Sequence, residues 1–203
     1  DEWAHSKNLH IMSLKTARDI AADILENKKI GFESDFIVNG SLPLEIDLDE
    51  KEIGICISLD SKRSPFKNTL NLIPKIVSVG VGCKKGTDFI HIYTAIKEVL
   101  SSYNISHFAI KSINSIDLKK EEEGIKKTAE IFKVPFYTYS KDELIKIQGD
   151  FSKSEFVKKV VGVDTVCERA AIMGSISKKL IINKTVVNSI TVAAAIDDYE
   201  VEF

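Results

Sequence analysis

The sequence predicts an α/β protein: a layered sandwich with a central sheet flanked by helices, preceded by a smaller α/β module. Three observations carry this. From Ile76 onward, short apolar runs rich in β-branched residues alternate with stretches whose apolar residues recur at helical spacing. The first run, Ile76–Gly82 (IVSVGVG), leads through a Gly-Cys-Lys turn straight into a helical face of Phe89, Ile92, Tyr93, Ile96, Val99 and Leu100. Finally, 203 residues at 44% hydrophobic and 29% charged supply a sizeable core, enough for one large domain or two modest ones.

The first module is read as residues 1–75. Residues 1–12 are a polar lead, and Trp3 is expected to pack against whatever precedes it. Residues 13–28 form an amphipathic helix with Ser13 as N-cap and Leu14, Ala17, Ile20, Ala21, Ile24 and Leu25 on one face. Gly31–Leu48 is short and β-like, with turn residues at Asn39-Gly40 and Pro43. Asp47, Asp49, Glu50 and Glu52 make an acidic run that reads as a solvated turn, since it lacks the Gly and terminal Glu of a calcium loop. Ile53–Leu59 is a buried-type strand, Ser61–Asn68 a basic loop, and Thr69–Lys75 a bridge to the second module. The lead DEWAHSKNLH has no signal-peptide pattern, and a chain that starts with Asp1 reads as a piece of a longer one.

The second module, 76–203, starts with the strand to Gly82 and the helix 88–102. A strand follows at Phe108–Ser112. Asp117 to Lys120 leads into Glu121–Glu123 and a helix through Phe132, where acidic residues suit the start of a helix. Pro135–Tyr139 is a strand. Ser140–Glu143 is a capping box opening a helix to about Ile147, Ser152–Glu155 a second box, and Thr165–Glu168 a third, opening a short helix that Gly174 stops. Lys179–Asn183 and Ile190–Asp197 close the chain as strands, and the small residues 193–195 imply close packing against a helix. No internal repeat is present.

Composition excludes several classes. A net charge of -2 gives no global attraction to nucleic acid or to an anionic membrane. No apolar run approaches the roughly 18 residues of a membrane span. Cys56, Cys83 and Cys167 are odd in number and form no C-x-x-C, which argues against a disulfide scaffold or a zinc site and fits a reducing cytoplasm. His5, His10, His91 and His107 form no ligand pair, so no protein-bound metal is expected.

Three segments could carry chemistry. In an α/β sheet the turns after the strands' carboxyl ends gather on one edge, where ligands bind. The first is the turn Gly80, Gly82, Cys83, Lys84, Lys85, Gly86 and Thr87: strand, Gly-rich turn and helix start bring backbone N–H groups together on an anion, and two lysines add charge. The bland alternative is a tight βα connection that needs Gly for its backbone angles. The spacing matches neither the dinucleotide fingerprint nor a Walker loop. No acid stands about 20 residues further on to bind a ribose, which counts against a nucleotide-binding domain. The second segment is Asp117, Lys119 and Glu122. The third is Cys167-Glu168, where the bland alternative is that Cys167 is core and Glu168 part of its capping box. Cys83 lies where a thiol pKa is lowered, yet no His base stands at a recognisable spacing.

Taken together, Gly80–Gly86 (GVGCKKG), Ser115–Gly124 (SIDLKKEEEG) and Gly162–Ala171 (GVDTVCERAA), followed by KLIINK and ITVAAAID, resemble the CbiG/CobE family of cobalamin biosynthesis. The family pattern is G-[IV]-G-C-[RK]-[RK]-G, then [ST]-x-D-x-K-x-x-E-x-G, then G-V-x-x-V-C-E-x-A-A, in that order. Lysines stand here where arginines are common in the turn, which keeps charge and loses bidentate geometry. The likeness covers Ile76 to about Asp197. The first 75 residues look like the middle region of CbiG, with residues 1–12 near the end of its N-terminal domain. CobE-like proteins are short and lack that region.

The resemblance implies a hydrolase of the anaerobic pathway and of porphyrin metabolism. It opens the ring-A δ-lactone of cobalt-precorrin-5A, releases acetaldehyde and leaves cobalt-precorrin-5B. The implied partners are this tetrapyrrole and other enzymes of the pathway, with no nucleic acid and no membrane. No cofactor is implied: the cobalt belongs to the substrate. The implied substrate-binding set is the three segments above; catalytic residues are not assigned. The alternative role is a non-catalytic, CobE-like tetrapyrrole-binding or partner-interaction module.

Overall fold

The computed structural model describes residues 2–147 and 165–203. The second capping box, Ser152–Glu155, and the start of the third motif, Gly162–Asp164, lie outside the described residues. The chain forms two compact units. The first comprises Asp1–Lys75, Asn104–Ala109 and Tyr199–Phe203; the second comprises Ile76–Tyr103 and Ile110–Asp198. Two short segments of the 76–203 range therefore belong to the first unit.

In the first unit, β1 (Leu9–Ile11), β5 (Asn68–Pro74), β4 (Ile53–Ile57) and β2 (Gly31–Ser34) lie side by side in that order. The last three run parallel, and β1 pairs antiparallel at the edge. β3 (Ile37–Asn39) pairs in parallel with β11 (Glu200–Glu202) in a separate two-stranded sheet. The segment read as a bridge is thus the inner strand β5, whose Leu70, Leu72 and Ile73 are buried. The lead holds α1 (Glu2–Ser6) as well as β1. Trp3 packs on this unit's own core and stacks on Phe203 at 5.5 Å. α2 (Leu14–Leu25) starts as expected, with Ser13 Oγ accepting the Thr16 N–H at 3.1 Å. Its buried stripe is narrower than the sequence suggests: Ala17 and Ile20 are covered, while Leu14 and Leu25 are 59% and 84% exposed.

In the second unit five strands lie in the order β8 (Phe136–Tyr139), β7 (Ile110–Ile116), β6 (Val77–Gly82), β10 (Ile190–Ile196), β9 (Lys179–Val187). β6, β7 and β8 are parallel; β10 runs antiparallel to both β6 and β9. α3 (Phe89–Ser102) and α4 (Glu123–Phe132) are the crossovers between the parallel strands, and Tyr93 stacks on Phe132 at 4.8 Å. α5 (Lys141–Ile145) carries the complete Ser140–Glu143 capping box.

α6 (Val166–Met173) packs on the sheet face that carries Gly80. A Cβ at Gly80 would sit 1.8 Å from the Cys167 carbonyl oxygen, so only glycine lets the helix approach this closely. Cys167, Ala171 and Ile172 cluster with Ala193 and Ala195, the small residues expected to meet a helix. Gly174 caps α6 at φ -75, not in the left-handed form; a Cβ there would strike the Asn114 side chain at 2.5 Å.

β7 differs most from expectation. His107–Ala109 is a 3₁₀ turn, and the strand runs on through Ile116. Its polar residues are buried and satisfied. Asn114 Nδ2 donates to the Val79 carbonyl at 3.2 Å, Tyr139 donates its hydroxyl to Asn114 Oδ1 at 3.0 Å, and Ser115 donates to the Val81 carbonyl at 2.8 Å.

Candidate functional site

β6 ends at Gly82, and the next five residues form the turn into α3. Gly86 adopts φ +75, and the Thr87 hydroxyl donates back to the Lys84 carbonyl at 2.8 Å. Two of the N–H groups expected to face a ligand are already used. Gly86 N–H donates to Glu122 Oε1 at 2.7 Å, and Ile90 N–H, in the first turn of α3, donates to the Asp88 side chain at 2.9 Å. The anion held by this turn is therefore the protein's own carboxylate. Glu122 precedes α4 without capping it; it clamps the turn and takes the Lys119 ammonium at 3.2 Å.

A cavity of about 280 Å³ opens beside this turn, over the carboxyl ends of β6 and β7. Gly82, Cys83, Lys84, Lys119 and Cys167 of the expected set line it. Gly86, Thr87 and Glu122 line a separate depression of about 240 Å³ with the start of α4. Gly80, Lys85, Asp117 and Glu168 line neither. Gly80 lies under α6, while Lys85 and Asp117 are exposed. Glu168 is 0% exposed and accepts the Lys184 N–H at 2.8 Å, tying α6 to β9.

Five polar lining residues lie outside the expected set: Ser115, Thr165, Lys184, Ser189 and Thr191. Lys184 carried a faint signal, a base at the end of an otherwise apolar run. Thr165 was assigned to a capping box that does not form. Its φ of +55 is left-handed, outside the extended geometry a side-chain cap needs, and Glu168 is committed to β9. Thr165 Oγ1 has no hydrogen-bond partner among the described residues.

The electrostatics of the cavity are one-sided. Three of its lining residues are lysines, and none of the described ones is an Asp or Glu. Lys84 and Lys184 make no ion pair among the described residues. The thiols are not activated. Burial pushes the Cys83 thiol up, with the Lys119 ammonium pulling the other way, which reverses the lowering expected at a helix start. Burial raises Cys167 to about 11. Among the described residues, no group of three or more His, Cys, Asp or Glu is placed to hold a metal, and no helix is long and apolar enough to cross a membrane.

Fold and cavity together define the class: an α/β protein with a cleft at the carboxyl edge of its parallel strands whose described lining carries lysines and no acid. Residues 77–195 match the family described as cobalamin synthesis G C-terminus, and the chain belongs to that family. It is 29% identical over 185 residues to a cobalt-precorrin-5A hydrolase of Salmonella typhimurium, covering 84% of this chain and 52% of that protein. It is 33% identical over 127 residues to a cobalt-precorrin-5A hydrolase of Priestia megaterium, covering 63% of this chain and 34% of that protein. The crystal structure of CobE, a protein from the cobalamin biosynthetic pathway, aligns with a TM-score of 0.56 at 22% identity over 61% of this chain and 92% of its own, a likeness of fold. The chain thus spans about half or less of the length of the curated relatives it matches.

Proposed function

We propose that this chain takes part in corrin-ring biosynthesis as the macrocycle-holding portion of a cobalt-precorrin-5A hydrolase, acting in the cytoplasm. The observation that carries the reading is the cavity over β6 and β7, with Lys84, Lys119 and Lys184 on its walls and no Asp or Glu among its described lining residues. The substrate implied by the relatives carries acetate and propionate side chains. Ammonium groups hold such carboxylates by charge-assisted hydrogen bonds. At about 280 Å³ the cavity lies just below the range of small-molecule sites, which run from about 300 to 1,000 Å³. It takes one edge of a macrocycle, not the whole ring.

Lactone opening needs a water activated by a base and donors for the oxyanion that develops at the acyl carbon. Cys83 and Cys167 stay protonated near neutral pH, and Glu168 is buried against β9, so none of the three suits the role of base. The lysines suit binding and oxyanion stabilisation. Cobalt enters this scheme as part of the substrate, with no separate cofactor.

The test is to mix the chain with cobalt-precorrin-5A under anaerobic conditions and follow the macrocycle spectrum together with acetaldehyde. Acetaldehyde at a rate proportional to protein supports hydrolysis by this chain. A saturable spectral shift without acetaldehyde assigns it binding alone, the CobE-like alternative. No shift and no product overturns both.

A further inference from the structure

We infer that Thr165 and the first N–H groups of α6 form a subsite for a carboxylate oxygen inside the lysine-lined cavity. This rests on the macrocycle reading for the identity of the ligand, though not for the chemistry of the pocket. Two independent observations carry it. First, Thr165 is 1% exposed, lines the cavity, and its hydroxyl has no hydrogen-bond partner among the described residues. A buried hydroxyl is costly to leave unpaired, so an unmet donor on a cavity wall points to something that fills it. Second, Val166 and Cys167, the first two residues of the eight-residue helix, line the same cavity. Helix geometry leaves their N–H groups without an intrahelical acceptor, and the dipole favours negative charge there. At α3 one of the two equivalent N–H groups, that of Ile90, is met by the Asp88 side chain. At α6 the capping residue turns away, and no side-chain cap bond forms.

Among the described residues that line the cavity, the charged side chains are all lysines. Lys84 and Lys184 face the cavity without an ion pair among the described residues, and Lys119 shares its ammonium with Glu122. The hydroxyl donates one hydrogen bond, the helix start supplies two more donors, and the ammonium groups supply the field. This is a carboxylate-sized arrangement, with Thr165, directly before Val166-Cys167-Glu168, as a binding residue.

The experiment uses the whole chain labelled with ¹⁵N, titrated with sodium propionate against sodium chloride at constant ionic strength. The expected result is a saturable shift of the Val166 and Cys167 amide resonances. Thr165→Val, which keeps the shape and removes the hydroxyl, weakens propionate about tenfold, the loss expected for one hydrogen bond to a charged group. Thr165→Ser restores it. No saturable shift in the unmodified chain, or equal affinity in Thr165→Val, overturns the subsite. Inorganic phosphate binding more than about tenfold tighter than propionate overturns its assignment to carboxylate. A parallel titration with cobalt-precorrin-5A separates the two claims. If propionate binds through Thr165 and the macrocycle does not bind, the functional reading fails and the subsite stands. If the macrocycle binds the unmodified chain and Thr165→Val alike, the subsite fails and the functional reading stands.

Discussion

Glu122 Oε1 accepts the Gly86 N–H at 2.7 Å across 36 residues of sequence, so the second motif locks the first. The carboxylate is nearly buried, and its other oxygen takes the Lys119 ammonium at 3.2 Å. Glu122→Ala leaves a backbone donor and an ammonium without their acceptor. Its expected cost is about 1–3 kcal/mol of folding stability, read as a lower urea midpoint. Glu122→Gln keeps an acceptor for Gly86 and costs less. Equal stability of all three proteins contradicts the clamp.

Gly80 and Gly86 are both glycines for different reasons, and alanine separates them. At Gly80 the new methyl collides with the Cys167 carbonyl, and α6 must move off the sheet. Gly80→Ala is expected to cost at least about 1–3 kcal/mol, as overpacking does. Gly86 has open space around it and needs only its positive φ. Gly86→Ala is expected to cost about 1–2 kcal/mol, the usual penalty for a side chain in that region. Thermal unfolding of the two variants checks the order.

Cys167 makes stability depend on alkaline pH. Burial lifts its thiol from the ordinary 9.0 to about 11. Below pH 9 both states keep the proton, and the folded state has its full stability. As pH rises from 9 to 11 the unfolded chain releases the proton first, so stability falls, and above 11 the loss levels off. Two units correspond to about 3 kcal/mol at most. Urea midpoints measured at pH 8 and pH 10.5 should drop more in the natural chain than in Cys167→Ala. An identical drop in both removes Cys167 as the cause.

Much of the second unit was legible because β-branched runs and helical periods alternate there without interruption. β6, α3 and α5 lie where the pattern puts them, and Asp88, Ser140 and the small residues 193–195 behave as their types suggest. The strand expected to end at Ser112 runs on to Ile116 because Asn114 and Ser115, which look like a loop, are buried inside a polar ladder that only the neighbouring strands reveal. β1, β5 and β11 were missed because a short strand at a chain end or beside a proline carries little periodicity. The candidate site was half visible. Gly82, Lys84 and Lys119 meet at the cavity as the three-segment reading expects. Glu122 and Thr165 exchanged roles with it: the acid read as a ligand contact or helix starter is a clamp, and the threonine read as a cap lines the cavity. A left-handed threonine cannot be read from its neighbours, so that exchange was not visible in the letters.

The central claim, that the basic cavity and not the exposed rim of the turn holds the macrocycle's carboxylates, is tested most directly with two adjacent lysines. Lys84 lines the cavity and Lys85 does not. The measurement is the affinity for cobalt-precorrin-5A under anaerobic conditions, by spectral titration, of the natural chain, Lys84→Ala and Lys85→Ala. The account predicts about a tenfold loss, about 1.4 kcal/mol, for Lys84→Ala and little change for Lys85→Ala. Equal losses in the two variants, or none in either with the fold intact, would contradict it.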